Sequence, residues 1–130
     1  MAEHTVKAGR VYDERARGDG ARVLVDRLWP RGLTKAAADL DEWRKDVAPS
    51  AELRIWYQHD PERFAEFARR YRAELQQGDA AEAVDHLRDL AQRRNLTLLT
   101  AAKALDISGA RVLADLLTDH PAPDGAADAR

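Results

Sequence analysis

A chain of 130 residues, 45% hydrophobic and 34% charged, has the size and balance of one folded domain with its own core. It has no cysteine, which excludes disulfides, thiolate nucleophiles and Cys-bound zinc. A net charge of -2 speaks against wholesale coating of nucleic acid, while a local basic patch stays open. No apolar run is long enough to span a bilayer and residues 1–10 lack the apolar stretch of a signal peptide. The expected location is the cytoplasm, with no membrane partner.

Residues 1–8 are polar and expected to fray. Residues 10–13 (Arg-Val-Tyr-Asp) form a short candidate strand, followed by a turn through Arg17-Gly18-Asp19-Gly20. Residues 22–26 give the strongest strand signal, because Val23, Leu24 and Val25 are continuously apolar, as in a strand covered on both faces. Thr34 is placed to cap a short Ala-rich helix over residues 35–40. Alternation over residues 42–47, with Trp43, Lys45 and Val47 on one side, predicts a third strand. Pro49-Ser50 ends it, and Ser50 is a good N-cap for a helix through Leu53 and Tyr57.

His59-Asp60-Pro61 is the next punctuation. Asp60 suits an N-cap, Pro61 the first helical position and Glu62 the first turn, where the helix dipole favours an acid. The helix expected over residues 61–77 sets Phe64, Phe67, Tyr71 and Leu75 on one face. Gly78 ends it, Asp79 and Glu82 open another, and that helix turns Val84, Leu87, Leu90 and Ala91 inward. Residues 96–101 are the last strand and residues 110–117 the last helix. Residues 119–130, with Pro121, Pro123 and Gly125, are expected to be a disordered tail beyond a single domain at 1–118. Helices between strands imply an α/β domain with a mostly parallel central sheet of about four strands and helices packed on it. The first strand could join at an edge in either direction.

In such a sheet the carboxyl ends of the strands are where sites form. There the chain delivers Asp26 and Arg27, then Asp46, then Lys103, with Arg31 and His59 on nearby loops. Acid, arginine, imidazole and lysine on one edge are what a bound anion or an acid–base step would use. Each also has a structural reading. Asp26 could pair with Arg27, Arg31 or Arg54, Asp60 is first a helix cap, and His59 could be a hydrogen-bonded structural residue. Lys103, after Ala101-Ala102, has few structural demands and is the strongest single expectation for ligand contact. Trp29, Trp43 and Trp56 read as core or interface anchors rather than stacking platforms. Trp29-Pro30 leaves both peptide isomers open, cis being the rare one. The sequence has no Gly-rich phosphate loop, no His pair at metal spacing and no Gly-x-Ser-x-Gly elbow, so no metal and no cofactor is expected.

Several segments together resemble a known family. They are Arg10-Val11-Tyr12-Asp13, the run from Arg22 to Gly32 with Asp26-Arg27-Leu28-Trp29-Pro30-Arg31, and Leu40-Asp41-x-Trp43-x-Lys45-Asp46-x-Ala48-Pro49-Ser50. Leu53-Arg54, His59-Asp60-Pro61 and Arg70-Tyr71 add to them. The chain resembles the DUF488 family of bacterial proteins, in its short YeaO-like branch, from Arg10 to Leu117. That resemblance implies a small α/β protein and carries no reaction with it. It also exposes a departure after the last strand. Where the family commonly reads Lys-Asp-x-x-His-x-His, this chain has Lys103-Ala104-Leu105-Asp106-Ile107-Ser108-Gly109. The lysine stays, but the acid and both imidazoles are replaced by Ala104, Ile107 and Gly109. Proton transfer or metal binding that used those groups would be impaired here.

The sequence therefore leads to an expectation of small-anion binding at the sheet edge, such as a phosphorylated metabolite or nucleotide. Asp26, Arg27, Arg31, Asp46, His59 and Lys103 are its candidate residues, and catalysis is left open. The alternative is a protein-interaction or homodimerisation module without chemistry of its own.

Overall fold

The computed structural model of the chain describes residues 4–118. Four parallel strands, β1 (Val6–Arg10), β2 (Ala21–Leu24), β3 (Glu42–Trp43) and β4 (Leu96–Thr100), form one sheet in the order β1-β4-β2-β3. Five helices accompany them: α1 (Lys35–Ala38), α2 (Ala51–Tyr57), α3 (Phe64–Glu74), α4 (Gly78–Arg93) and α5 (Gly109–Thr118). The expected class, a single small α/β domain on a four-stranded sheet, is the one observed, and the sheet is parallel throughout. The tail expected at 119–130 lies outside the described residues.

Alternation along the two central strands divides the core. Val23 and Val25 of the β2 segment, with Leu96 and Leu98 of β4, meet Phe67, Tyr71, Leu87 and Leu113 from the helices. Leu24 and Leu99 point the other way, to a smaller cluster with Val11 and Ala38, against which Trp29, Leu33, Leu40 and Trp43 pack. So α1 lies over one face, and α3, α4 and α5 cover the other.

Three sequence expectations need correction. The first strand is Val6–Arg10, not residues 10–13, so the segment expected to fray is in part a strand. It is an edge strand, held by its ladder to β4 and by Leu96 donating its N–H to the Thr5 carbonyl. The third strand stops at Trp43 rather than running to Val47. Lys45–Val47 is a 3-10 turn, Lys45 Nζ sits 4.2 Å from the centre of the Trp43 ring, and Val47 is fully buried. Finally, the long helix expected over 61–77 is a 3-10 turn, Pro61–Arg63, followed by the shorter α3.

Three capping expectations hold, while the one at Asp79 does not: α4 starts at Gly78, with Gln77 as its N-cap and no side-chain cap bond. Thr34 accepts from the Ala37 N–H, Ser50 from Leu53 and Asp60 from Glu62. Gly20 is required by space as well as by its positive φ of 64°, since a Cβ there would lie 2.0 Å from the Asn95 carbonyl oxygen. Trp29-Pro30 is trans.

Candidate functional site

The chain leaves β2 toward α1 on one face of the sheet and leaves β4 toward α5 on the other. Adjacent parallel strands whose connections diverge this way open a crevice at their carboxyl ends. A cavity of about 450 Å³ lies there. Its wall includes Val25, Asp26, Arg27, Trp29 and Arg31 after β2, and Thr100, Ala101 and Ala102 after β4. Tyr12, Arg54, Tyr57, His59, Phe67, Gly109 and Ala110 complete most of the rest.

Asp26 is the polar centre of this wall. The backbone ladder between β2 and β4 ends with Val25 N–H donating to the Leu99 carbonyl at 3.0 Å. One residue on, the Asp26 side chain takes over the pairing. It accepts from the Thr100 hydroxyl at 2.7 Å on one oxygen and from the Ala101 N–H at 2.8 Å on the other. Burial pushes the Asp26 carboxyl above its ordinary range, outweighing the Ala101 and Thr100 bonds and the charge of His59, which pull it down. The structural reading of Asp26 as an arginine's ion partner therefore gives way to another: it is the brace that closes two strand ends.

Around that brace the cations are differently committed. Arg27 donates to the Pro49 carbonyl at 3.1 Å. Arg31 is fixed through its main chain, whose carbonyl accepts from the Tyr12 hydroxyl at 3.0 Å. Among the described residues the guanidinium groups of Arg31 and Arg54 have no hydrogen-bond or ion-pair partner, and both are exposed. His59 follows the α2 cap with a positive φ of 58° after Gln58 at 49°, which turns the loop sharply back to the cleft. Its ring lies 5.6 Å from that of Tyr57. Tyr57 donates to the Ile107 carbonyl, and burial followed by the Asp60 charge raises its hydroxyl's pKa.

Of the sequence's candidates, Asp26, Arg27, Arg31 and His59 share this cavity, and Asp46 and Lys103 do not line it. Asp46 pairs with Arg44 at 3.6 Å, beyond the early end of β3, and Lys103 is exposed. The sequence did not offer Tyr12, Thr100 or Arg54 as site residues. Arg54 could have been found, since it stands one position from buried Leu53 on a helix leading into His59. Among the described residues no three His, Asp or Glu side chains gather in a way that could hold a metal ion. No described helix is long and apolar enough to cross a membrane.

The segment after β4 reaches this cavity at Gly109. Leu105–Ile107 is a 3-10 turn, Ser108 caps α5 by accepting from the Arg111 N–H, and Gly109 lines the wall. A Cβ at Gly109 would sit 3.5 Å from Pro49 and from Tyr71, ordinary contact distance. The backbone there has room for a Cβ.

Comparison with known proteins finds relatives that cover most of the chain. The uncharacterised protein Rv3073c of Mycobacterium tuberculosis strain H37Rv is 50% identical over 117 residues, 90% of this chain and 97% of its own. The uncharacterised protein YeaO of Escherichia coli strain K12 is 44% identical over 112 residues, 86% of this chain and 96% of its own. No solved structure matches the chain. A family model described as the inactive DUF488-N3 subclade matches residues 5–129. The chain belongs to that subclade of the DUF488 family.

Proposed function

We propose that this protein binds a small anionic ligand in the cleft between the ends of β2 and β4 and does not turn it over. The observation that carries the reading is the pair of uncommitted guanidinium groups, Arg31 and Arg54, on the wall of a cavity at a strand-divergence point. Arg27 and His59 add cationic or donor capacity beside them.

The absence of turnover rests on separate ground. Asp26, the half-buried acid of the wall, has both oxygens engaged in bracing the strands. The resemblance implies an acid and two imidazoles after β4, and this chain has Ala104, Ile107 and Gly109 at those positions. The word inactive in the subclade's description accords with this. The interaction-module alternative draws on Leu28 and Ile55, the exposed aliphatic side chains. The tryptophans do not support it: Trp29 and Trp43 pack edge to face at 5.3 Å, and Trp56 lies under Arg63 and Arg70.

A thermal-shift panel of carboxylates and phosphates tests the reading. A ligand at about a hundred times its Kd stabilises the fold by about 2.7 kcal/mol, a rise of several degrees in Tm. The expected result is stabilisation of the wild type by at least one anion, lost in the Arg31→Ala/Arg54→Ala double variant. Stabilisation by none of them, or equally in both proteins, would remove the proposal.

A further inference from the structure

We infer that the occupant of the cleft is an amphipathic monocarboxylate, an apolar, aromatic-sized body ending in a single carboxylate. The inference rests on the anion-binding reading and narrows it. It comes from how charge is distributed with depth. Val25, Tyr57, Phe67 and Ala110, all on the wall, are each no more than 3% exposed. The charged group set among them is an acid, Asp26, and the Ala101 N–H beside it is already used by that acid. The guanidinium groups of Arg31 and Arg54 are exposed and so belong to the mouth.

An anion driven to the floor would meet like charge and no free cradle of N–H donors. Held at the mouth, it meets two guanidinium groups, whose planar forks match a carboxylate in two parallel bonds. The depth below, walled by Val25, Tyr57, Phe67 and Ala110, is then filled best by something apolar. Trp29 supplies an aromatic surface on the wall, while Leu28, 68% exposed, and Tyr12, 41% exposed, carry the apolar surface out past the rim. A compact, multiply charged phosphate suits none of this. Two sources present the same chemistry: a free arylalkanoic or branched aliphatic acid, and the C-terminus of a peptide ending in an apolar residue.

Calorimetric titration, backed by tryptophan emission because Trp29 lines the wall, decides the matter with a matched set of probes. Hydrocinnamate should bind about tenfold more tightly than its neutral amide, the expected worth of a charge-assisted contact. Acetate and inorganic phosphate, which bury no apolar surface, should each bind at least about tenfold more weakly than hydrocinnamate. In the Arg31→Ala/Arg54→Ala variant hydrocinnamate should fall to the level of the amide, with the amide unchanged. That pattern also separates lost recognition from lost folding. Acetyl-glycyl-phenylalanine binding at least as well as hydrocinnamate, with its C-terminal amide weak, identifies a peptide end as the source. Hydrocinnamate alone identifies a free acid. Inorganic phosphate or phenyl phosphate binding as tightly as hydrocinnamate would overturn this inference and leave anion binding standing. Equal affinity for acid and amide, or binding of no probe, would overturn both.

Discussion

The two ends of β2 handle charge in opposite ways. At the start of the strand Arg22 is 1% exposed and every nitrogen of its guanidinium is committed. It donates to Asp19 at 3.1 Å and to the main-chain carbonyls of Asp13, Ala38 and Asp39. Lys7 completes the cluster by reaching Asp19 at 2.9 Å. One cation thus ties the loop between β1 and β2 to the end of α1. Past the other end of the strand Asp26 is also bonded on both oxygens, but its neighbours Arg31 and Arg54 are left open to a cavity. Charge spent on loops holds the fold, and charge left over beside a cavity is available to a ligand.

The comparison is tested most severely at Arg22. Removing Arg22 takes the buried partner from Asp19, which keeps only Lys7 and the Ala16 N–H, and three carbonyls lose a donor as well. Arg22→Ala is expected to cost about 3–5 kcal/mol, read as a lower urea midpoint. A loss under about 1 kcal/mol would mean that the cluster is dispensable and the contrast between the ends is false.

A smaller effect separates the two acids by the sign of their pH dependence. Burial pushes Asp19 up, but the Ala16 N–H, Lys7 and Arg22 outweigh it and hold the carboxyl below its ordinary value of 3.8. Its contribution is complete above that value and is lost as pH falls through the lower folded one. Asp26 is shifted upward instead. Its protonated form is favoured in the fold, so its contribution is largest below 3.8 and declines as pH rises through the higher folded value. Denaturant titrations of wild type, Asp19→Asn and Asp26→Asn between about pH 3 and pH 7 bracket both windows. The advantage of the wild type should grow with pH over Asp19→Asn and shrink with pH over Asp26→Asn. Parallel curves would show that the two carboxylates do the same work. Asp26→Ala, which orphans the Thr100 hydroxyl and the Ala101 N–H, should cost about 1–3 kcal/mol.

The sequence made the open end of β2 easier to read than the closed one. Val23-Leu24-Val25 followed at once by Asp26-Arg27 announces a strand that ends in charge, and that local pattern survives into the fold. Arg22 sits in the same strand, but its partners Asp13, Ala38 and Asp39 are brought together only by tertiary structure, and no local pattern marks a buried cation. The same reason hid β1. Val6-Lys7-Ala8-Gly9-Arg10 reads as polar because it is an edge strand, and only its ladder to β4 defines it. Residues 42–47 alternate as a strand should, yet Trp43 donates its indole N–H to the Asp26 carbonyl and the chain turns away. Asp46 was placed beside Asp26 on the strength of a strand end that comes three residues earlier.

Lys103 should give the smallest effect and the sharpest limit on the cleft. Reading β4 as a strand that ends at the site makes the first lysine after it an attractive contact. The structure fixes the chain before that lysine is reached. Asp26 holds the Ala101 N–H at 2.8 Å, and Arg10 donates to the Ala102 and Ala101 carbonyls at 3.2 Å and 3.5 Å. With both sides of the backbone pinned, Ala101 and Ala102 face the cavity and Lys103 stands beyond it, exposed. Lys103→Ala should therefore change stability by no more than about 0.5 kcal/mol and leave ligand affinity where it was, measured beside the Arg31→Ala/Arg54→Ala protein. If Lys103→Ala weakened binding as much as losing the two arginines, the ligand would have to reach past Ala102 toward the 3-10 turn at Leu105–Ile107. The division between committed and available charge would then have to be drawn around β4 rather than β2.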